Sequence, residues 1–169
     1  MVQIARRDMP AHSEQQSSTA LTGCPQHADG MRARNAVRRR PLPADGFDGF
    51  VERDGLRFAG THLIVDLWHA SNLADVQAVE SALRRASQAA GATLLQVDLH
   101  CFPLNGGITG VALLAESHIS IHTWPECSFA AIDVFMCGRA EPHKAIEVLR
   151  GAFAPGMLSV SEHRRGVVP

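Results

Sequence analysis

Thr93-Leu94-Leu95-Gln96-Val97-Asp98-Leu99-His100-Cys101-Phe102 alternates apolar and polar residues over most of its length. Successive side chains of a strand point to opposite faces, so the stretch reads as a half-buried strand. Leu95, Val97, Leu99 and Cys101 are expected on one face, with Gln96, Asp98 and His100 on the other. Its flanks decide what the strand belongs to. Upstream, His62-Leu63-Ile64-Val65-Asp66-Leu67-Trp68 is short, apolar and partly β-branched, which predicts another strand. Between the two, Leu73, Val76, Val79, Leu83, Ala86 and Ala90 recur at three- and four-residue steps, the pattern of an amphipathic helix that Gly91 stops. Downstream, Asn105-Gly106-Gly107 predicts a turn. Strands are expected over residues 109–114, 118–122 and 130–136. Pro142 suits the first position of a second helix with Ala145, Ile146, Leu149 and Phe153 inward, and residues 157–161 suit a closing edge strand. The order β-α-β-β-β-β-α-β predicts an α+β fold, a two-layer sandwich of a largely antiparallel sheet with helices packed on one face.

Composition narrows the classes. A chain of 169 residues suits one domain plus some surplus, and 46% apolar with 20% charged residues is ordinary for a globular protein. A net charge of −1 gives no overall pull towards nucleic acid or an anionic membrane. The longest apolar run falls well short of the ~20 residues of a membrane helix, and no signal-peptide core follows Met1. Cys24, Cys101, Cys127 and Cys137 form no C-x-x-C pair, which fits a reducing, cytoplasmic setting. Residues 1–58 carry Gly, Pro and Ser without apolar periodicity, plus the cluster Arg32, Arg34, Arg38, Arg39 and Arg40; they are expected to form a disordered tail, with 59–169 as the folded domain.

The chemistry concentrates in Ala115-Glu116-Ser117-His118-Ile119-Ser120-Ile121-His122-Thr123-Trp124-Pro125-Glu126. Buried polar groups cost about 1–3 kcal/mol each when unpaired, so an ordinary core strand does not collect them. A zinc site on His118 and His122 fails on geometry. In a strand, residues four apart share a face but lie about 13 Å apart, too far to hold one ion. No metal is therefore expected. A conventional serine hydrolase fails as well, because no G-x-S-x-G elbow surrounds Ser117.

The block Glu116 to Glu126, followed by Ala130-Ala131-Ile132-Asp133-Val134-Phe135 and Cys137-Gly138, resembles the prokaryotic S-adenosylmethionine decarboxylases. The likeness runs from Gly60-Thr61-His62 to about Phe153 and leaves the first 58 residues outside it. The resemblance implies a proenzyme that cleaves itself between Glu116 and Ser117. Ser117 would become a covalent pyruvoyl cofactor at the head of the new chain, and its ketone would form a Schiff base with the substrate amine and accept the electrons that carbon dioxide leaves behind. It also implies that His122 moves protons during processing, that Cys137 reprotonates the decarboxylated carbon, and that Thr109 stands where the family has a serine that helps processing. Threonine keeps the hydroxyl at the cost of one rotamer-restricting methyl.

Phe102, Trp124 and Glu126 are the substrate-binding candidates: an aromatic ring for adenine, a second ring beside it, and a carboxylate for ribose hydroxyls. The loop from Phe102 to Thr109 is one residue longer than the family's usual loop, and Trp68 to Leu73 is shortened. Those departures keep arginine or ornithine open as alternative substrates, since relatives use the same pyruvoyl chemistry on them. A further alternative is an unprocessed, non-catalytic regulatory partner, although Ser117, His122 and Cys137 are all present. By resemblance the chain is expected to form a homodimer with its active site near the subunit contact, to take a small-molecule substrate, and to supply the aminopropyl donor for spermidine. No nucleic-acid or membrane partner is expected.

Overall fold

Two apolar patterns of different period build two layers. The computed structural model describes residues 49–168. In chain order they form β1 (Val51–Arg53), β2 (Leu56–Phe58), β3 (Gly60–Trp68), α1 (Val76–Ala89), β4 (Leu94–Cys101), β5 (Ile108–Leu114), β6 (Ser117–Trp124), a 3-10 turn (Pro125–Cys127), β7 (Phe129–Cys137), α2 (Pro142–Phe153) and β8 (Met157–Arg165). Strands β3 to β8 make one sheet in the order β4-β5-β6-β7-β3-β8, every neighbouring pair antiparallel. Both helices lie on one face of it, and the fold is the expected α+β sandwich.

The period of two fixes which face is which. Leu63, Val65 and Leu67 of β3, Ile119 and Ile121 of β6, and Ala130, Ile132 and Val134 of β7 are buried beneath the helices. They meet Val79, Ala82, Leu83 and Ala86 of α1, and Ala145, Ile146, Leu149 and Phe153 of α2, in one core. Asp75 caps α1 by accepting the backbone N–H groups of Gln77 and Ala78 at 2.9 and 3.0 Å. The opposite face of the sheet has no second layer among the described residues. It presents His62, Ile64, Asp66 and Trp68 from β3, His118, Ser120, His122 and Trp124 from β6, and Phe129, Asp133 and Phe135 from β7.

Four expectations need correction. The tail was expected to reach residue 58, yet β1 and β2 form an antiparallel hairpin and bury Phe58 to 1% exposure. Apolar periodicity misses such a short hairpin, because its strands have three residues each. The rest of that segment, residues 1–48, lies outside the described residues. Leu95 does not join the inner face: the register shifts between Leu94 and Gln96, and the bulge leaves Leu95 60% exposed. Leu73 is buried but precedes α1. The last strand continues to Arg165, paired along its length with β3.

Candidate active site

Ala115 and Glu116 form the tight turn between β5 and β6, with Leu114 paired to Ser117. Glu116 has φ of 71°, a left-handed backbone that costs an L-residue about 1–2 kcal/mol and is usually given to glycine at this place in a turn. The next residue opens β6 towards the buried side. Ser117 is 8% exposed, and its Oγ accepts the backbone N–H of Cys137 at 3.0 Å. That contact ties the turn to the far end of β7. Gly60 faces Cys137 across the β3–β7 pairing. A Cβ on Gly60 would stand 2.6 Å from the Met136 carbonyl oxygen and 3.1 Å from the Cys137 Sγ, so only glycine leaves the thiol where it is. Burial pushes the Cys137 thiol above its ordinary value, and the Glu116 carboxylate pushes it further in the same direction. The thiol therefore holds its proton at neutral pH.

A second cluster sits at the other end of the same sheet. Thr109 and His122 are register partners on β5 and β6, with Thr109 Oγ1 and His122 Nδ1 3.0 Å apart. The His122 and Trp124 rings lie 6.2 Å apart, and Phe102 meets His100 edge-on at 4.8 Å. Asn105 Nδ2 donates to Glu126 Oε1 at 3.0 Å. A cavity of about 380 Å³, lined by Asp98, His100, Thr109, Gly110, Val111, Ser120 and His122, opens here on the uncovered face. Thr123 anchors the region from below. Its hydroxyl accepts the Ile108 N–H and donates to the Leu73 carbonyl, both at 2.8 Å.

The sequence candidates thus divide into two groups. Glu116, Ser117 and Cys137 come together at one end; Thr109, His122, Phe102, Trp124 and Glu126 gather at the other. Ser117 and His122 are five residues apart on one strand, an odd number that puts them on opposite faces about 16 Å apart. Sequence reasoning gave no role to Gly60 or Thr123, nor to Asp133, which accepts from Ser120 at 3.2 Å and lies 3.2 Å from His62 Nε2. A glycine opening an otherwise apolar strand was the available sign of a close approach at Gly60. Cys127 is exposed in the 3-10 turn. Chemically, the first cluster offers a serine hydroxyl next to a strained peptide, and an acid within reach of it. The second offers a histidine–hydroxyl pair among rings and a carboxylate.

A sequence profile of S-adenosylmethionine decarboxylase matches residues 61–166, and the chain belongs to that family, whose members are carboxy-lyases. It is similar to the S-adenosylmethionine decarboxylase proenzyme of Thermomicrobium roseum, 47% identical over 116 residues that cover 67% of this chain and 98% of the relative. It is also similar to the proenzyme of the same description from Methanococcus maripaludis, 45% identical over 112 residues covering 64% and 91%. Among solved structures, the adenosylmethionine decarboxylase of Aquifex aeolicus superimposes with a TM-score of 0.57 at 34% identity, over 65% of this chain and 92% of that one.

Proposed function

We propose that this protein is a self-processing S-adenosylmethionine decarboxylase that cuts itself at Glu116–Ser117, carries a pyruvoyl group on residue 117, and produces the aminopropyl donor for spermidine. The observation that carries this reading is the Ser117 hydroxyl, held by the Cys137 amide directly after a left-handed Glu116. Attack by Oγ on the Glu116 carbonyl carbon turns the amide into an ester and frees the nitrogen. Removal of the Ser117 α-proton then expels the Glu116 carboxylate, and water replaces the nitrogen, which departs as ammonia. Strain at Glu116 favours processing as a whole, because the elimination that cuts the chain releases that residue from its turn.

These residues fit a pyruvoyl group: residue 117 is buried at a chain turn, with a raised-pKa thiol at hand. When formed, that group supplies a ketone that takes the substrate amine and accepts the electron pair of the departing carbon dioxide. Cys137 then supplies a proton to the substrate carbon, a role suited to a thiol that stays protonated at neutral pH. His122, paired with Thr109, moves protons during processing. Phe102, Trp124 and Glu126 bind the nucleoside.

The separation of the clusters supports a second copy. His122 of one chain cannot reach Ser117 of the same chain, so we propose a homodimer stacked through the uncovered sheet face. There a two-fold axis brings the histidine end of one protomer over the serine end of its partner, where Cys137 faces the same open side and Ser117 sits at the first residue of β6, at the end of the sheet. The exposed Ile64, Trp68, Leu113 and Trp124 give that face apolar area to bury. A cytoplasmic location belongs to the same proposal and rests on the family reading.

Intact mass of the purified protein tests the reading. The 18.2 kDa chain should resolve into fragments 1–116 and 117–169, and borohydride should trap a carbonyl on the second. Labelled carbon dioxide should come from S-adenosylmethionine. A stable, uncut chain would leave a regulatory homologue, and release from arginine or ornithine alone would move the substrate.

A further inference from the structure

Glu126 stands in the 3-10 turn after β6, and Phe102 begins the loop after β4. One side chain joins the two segments. Asn105 Nδ2 donates to Glu126 Oε1 at 3.0 Å, while Asn105 Oδ1 accepts the Gly107 N–H at 3.1 Å. The two bonds fix which end of the amide points where, because a reversed amide would set an oxygen against the carboxylate and an N–H against an N–H. Among the described residues Glu126 has no other hydrogen-bond or ion-pair partner.

The loop that carries Asn105 is itself held at its base. The Phe102 N–H donates to the Gly107 carbonyl at 2.8 Å, and the Gly106 N–H donates to the Phe102 carbonyl at 2.9 Å. A Cβ on Gly107 would stand 2.9 Å from the Thr123 carbonyl oxygen, so the loop lies directly against the end of β6. Asn105 thus ties a short, closed loop to the neighbouring turn. It fixes where the Glu126 carboxylate stands relative to the segment that carries Phe102.

We propose that Asn105 is a positioning residue, which holds the Glu126 carboxylate in place for the ribose hydroxyls of the substrate. The proposal rests on the reading of Phe102 and Glu126 as nucleoside contacts, and that reading gives Asn105 no part. An exposed glutamate on a turn has several rotamers, and ordering it when a ligand arrives weakens binding. The Asn105 amide orders it beforehand. It does so with a neutral donor, so the carboxylate keeps its charge and accepts strongly from a hydroxyl, and Oε2 stays open for one.

Calorimetry on the purified full chain tests this, with 5′-methylthioadenosine and its 2′,3′-dideoxy counterpart as probes. The parent should prefer the form with hydroxyls. Asn105→Asp should cut that preference about five- to tenfold and bind the dideoxy form as the parent does. Aspartate keeps the acceptor for the Gly107 N–H and replaces only the donor with a like charge; thermal denaturation checks that the loop survives. Asn105→Ala, which lacks both groups, should lose the preference too. In the Glu126→Gln background, Asn105→Asp should change nucleoside affinity by less than about twofold, because a glutamine amide can donate to the new carboxylate. With labelled S-adenosylmethionine, Asn105→Asp should raise KM while kcat stays within about twofold. A preference for the ribose form that persists in Asn105→Asp overturns this proposal alone. A parent that binds both forms equally, or neither, overturns the Glu126 assignment and this proposal with it.

Discussion

The backbone N–H of Cys137 donates to Ser117 Oγ at 3.0 Å, joining the first residue of β6 to the last residue of β7. Twenty positions separate the two in sequence. This bond places a hydroxyl with a strained peptide before it next to a thiol whose proton is held by burial and by a carboxylate. The consequences can be measured one at a time.

Cys137 should react slowly with iodoacetamide at neutral pH. Alkylation needs the thiolate, and both causes at this site favour the thiol, so the midpoint of its rate against pH should lie above that of an ordinary cysteine. In the uncleavable Ser117→Ala chain, Glu116→Gln should lower that midpoint while burial keeps it raised. Peptide mapping by mass spectrometry reads Cys137 separately from the exposed Cys127. A midpoint that ignores Glu116 would remove the carboxylate from the account.

Glu116→Gly should stabilise the uncleaved fold. Glycine adopts φ of 71° without the steric cost, while its freer unfolded chain returns part of the gain. In the Ser117→Ala background, the expected net effect is up to about 1 kcal/mol, read from urea denaturation. With Ser117 present, the same substitution should slow self-cleavage, because the strained turn is relaxed before the serine attacks.

Thr109→Val keeps the shape of the side chain and removes the hydroxyl 3.0 Å from His122 Nδ1. Self-cleavage should slow by about 10–100-fold, below the full contribution of a general base because the imidazole remains. Thr109→Ser should cleave at least as fast as the parent. Gel quantitation of cut and uncut chain over time supplies the rates. Equal cleavage in the valine variant would show that the contact does not orient the histidine.

Ser117→Ala and His122→Ala should each leave the chain uncut when expressed alone. Expressed together, they should restore one working site per mixed dimer, formed by Ser117 of one copy and His122 of the other. A fragment ending at Glu116 should then arise only from the copy that carries His122→Ala. Mass spectrometry distinguishes the two copies. No cleavage in the mixture would sink the stacked homodimer.

Much of this was legible in local pattern. The alternation through β4 and the three- and four-residue steps of α1 depend on where successive side chains point, which chain geometry sets without outside help. The block around Ser117 stood out because polar side chains interrupt a strand that also buries Ile119 and Ile121. Two features escaped. Leu95 left the inner face through a bulge, a choice made by pairing with β5 that alternation does not encode. The hairpin of residues 51–58 is too short for periodicity and holds its place through Arg164, Phe58 and the end of β8, all tertiary contacts.

The sequence by itself determined the long elements, most of their core-facing positions, and the residue types able to do the chemistry, because each depends on neighbours within a few positions. Only the tertiary structure decided the distances among them. Cys137 reached Ser117, and His122 was carried about 16 Å away to the opposite face, because strand pairing order and the two-residue period act across the whole sheet. Arg53 and Arg139 line one cavity for the same reason: the first is placed by a hairpin docked on a distant strand, the second by the end of β7.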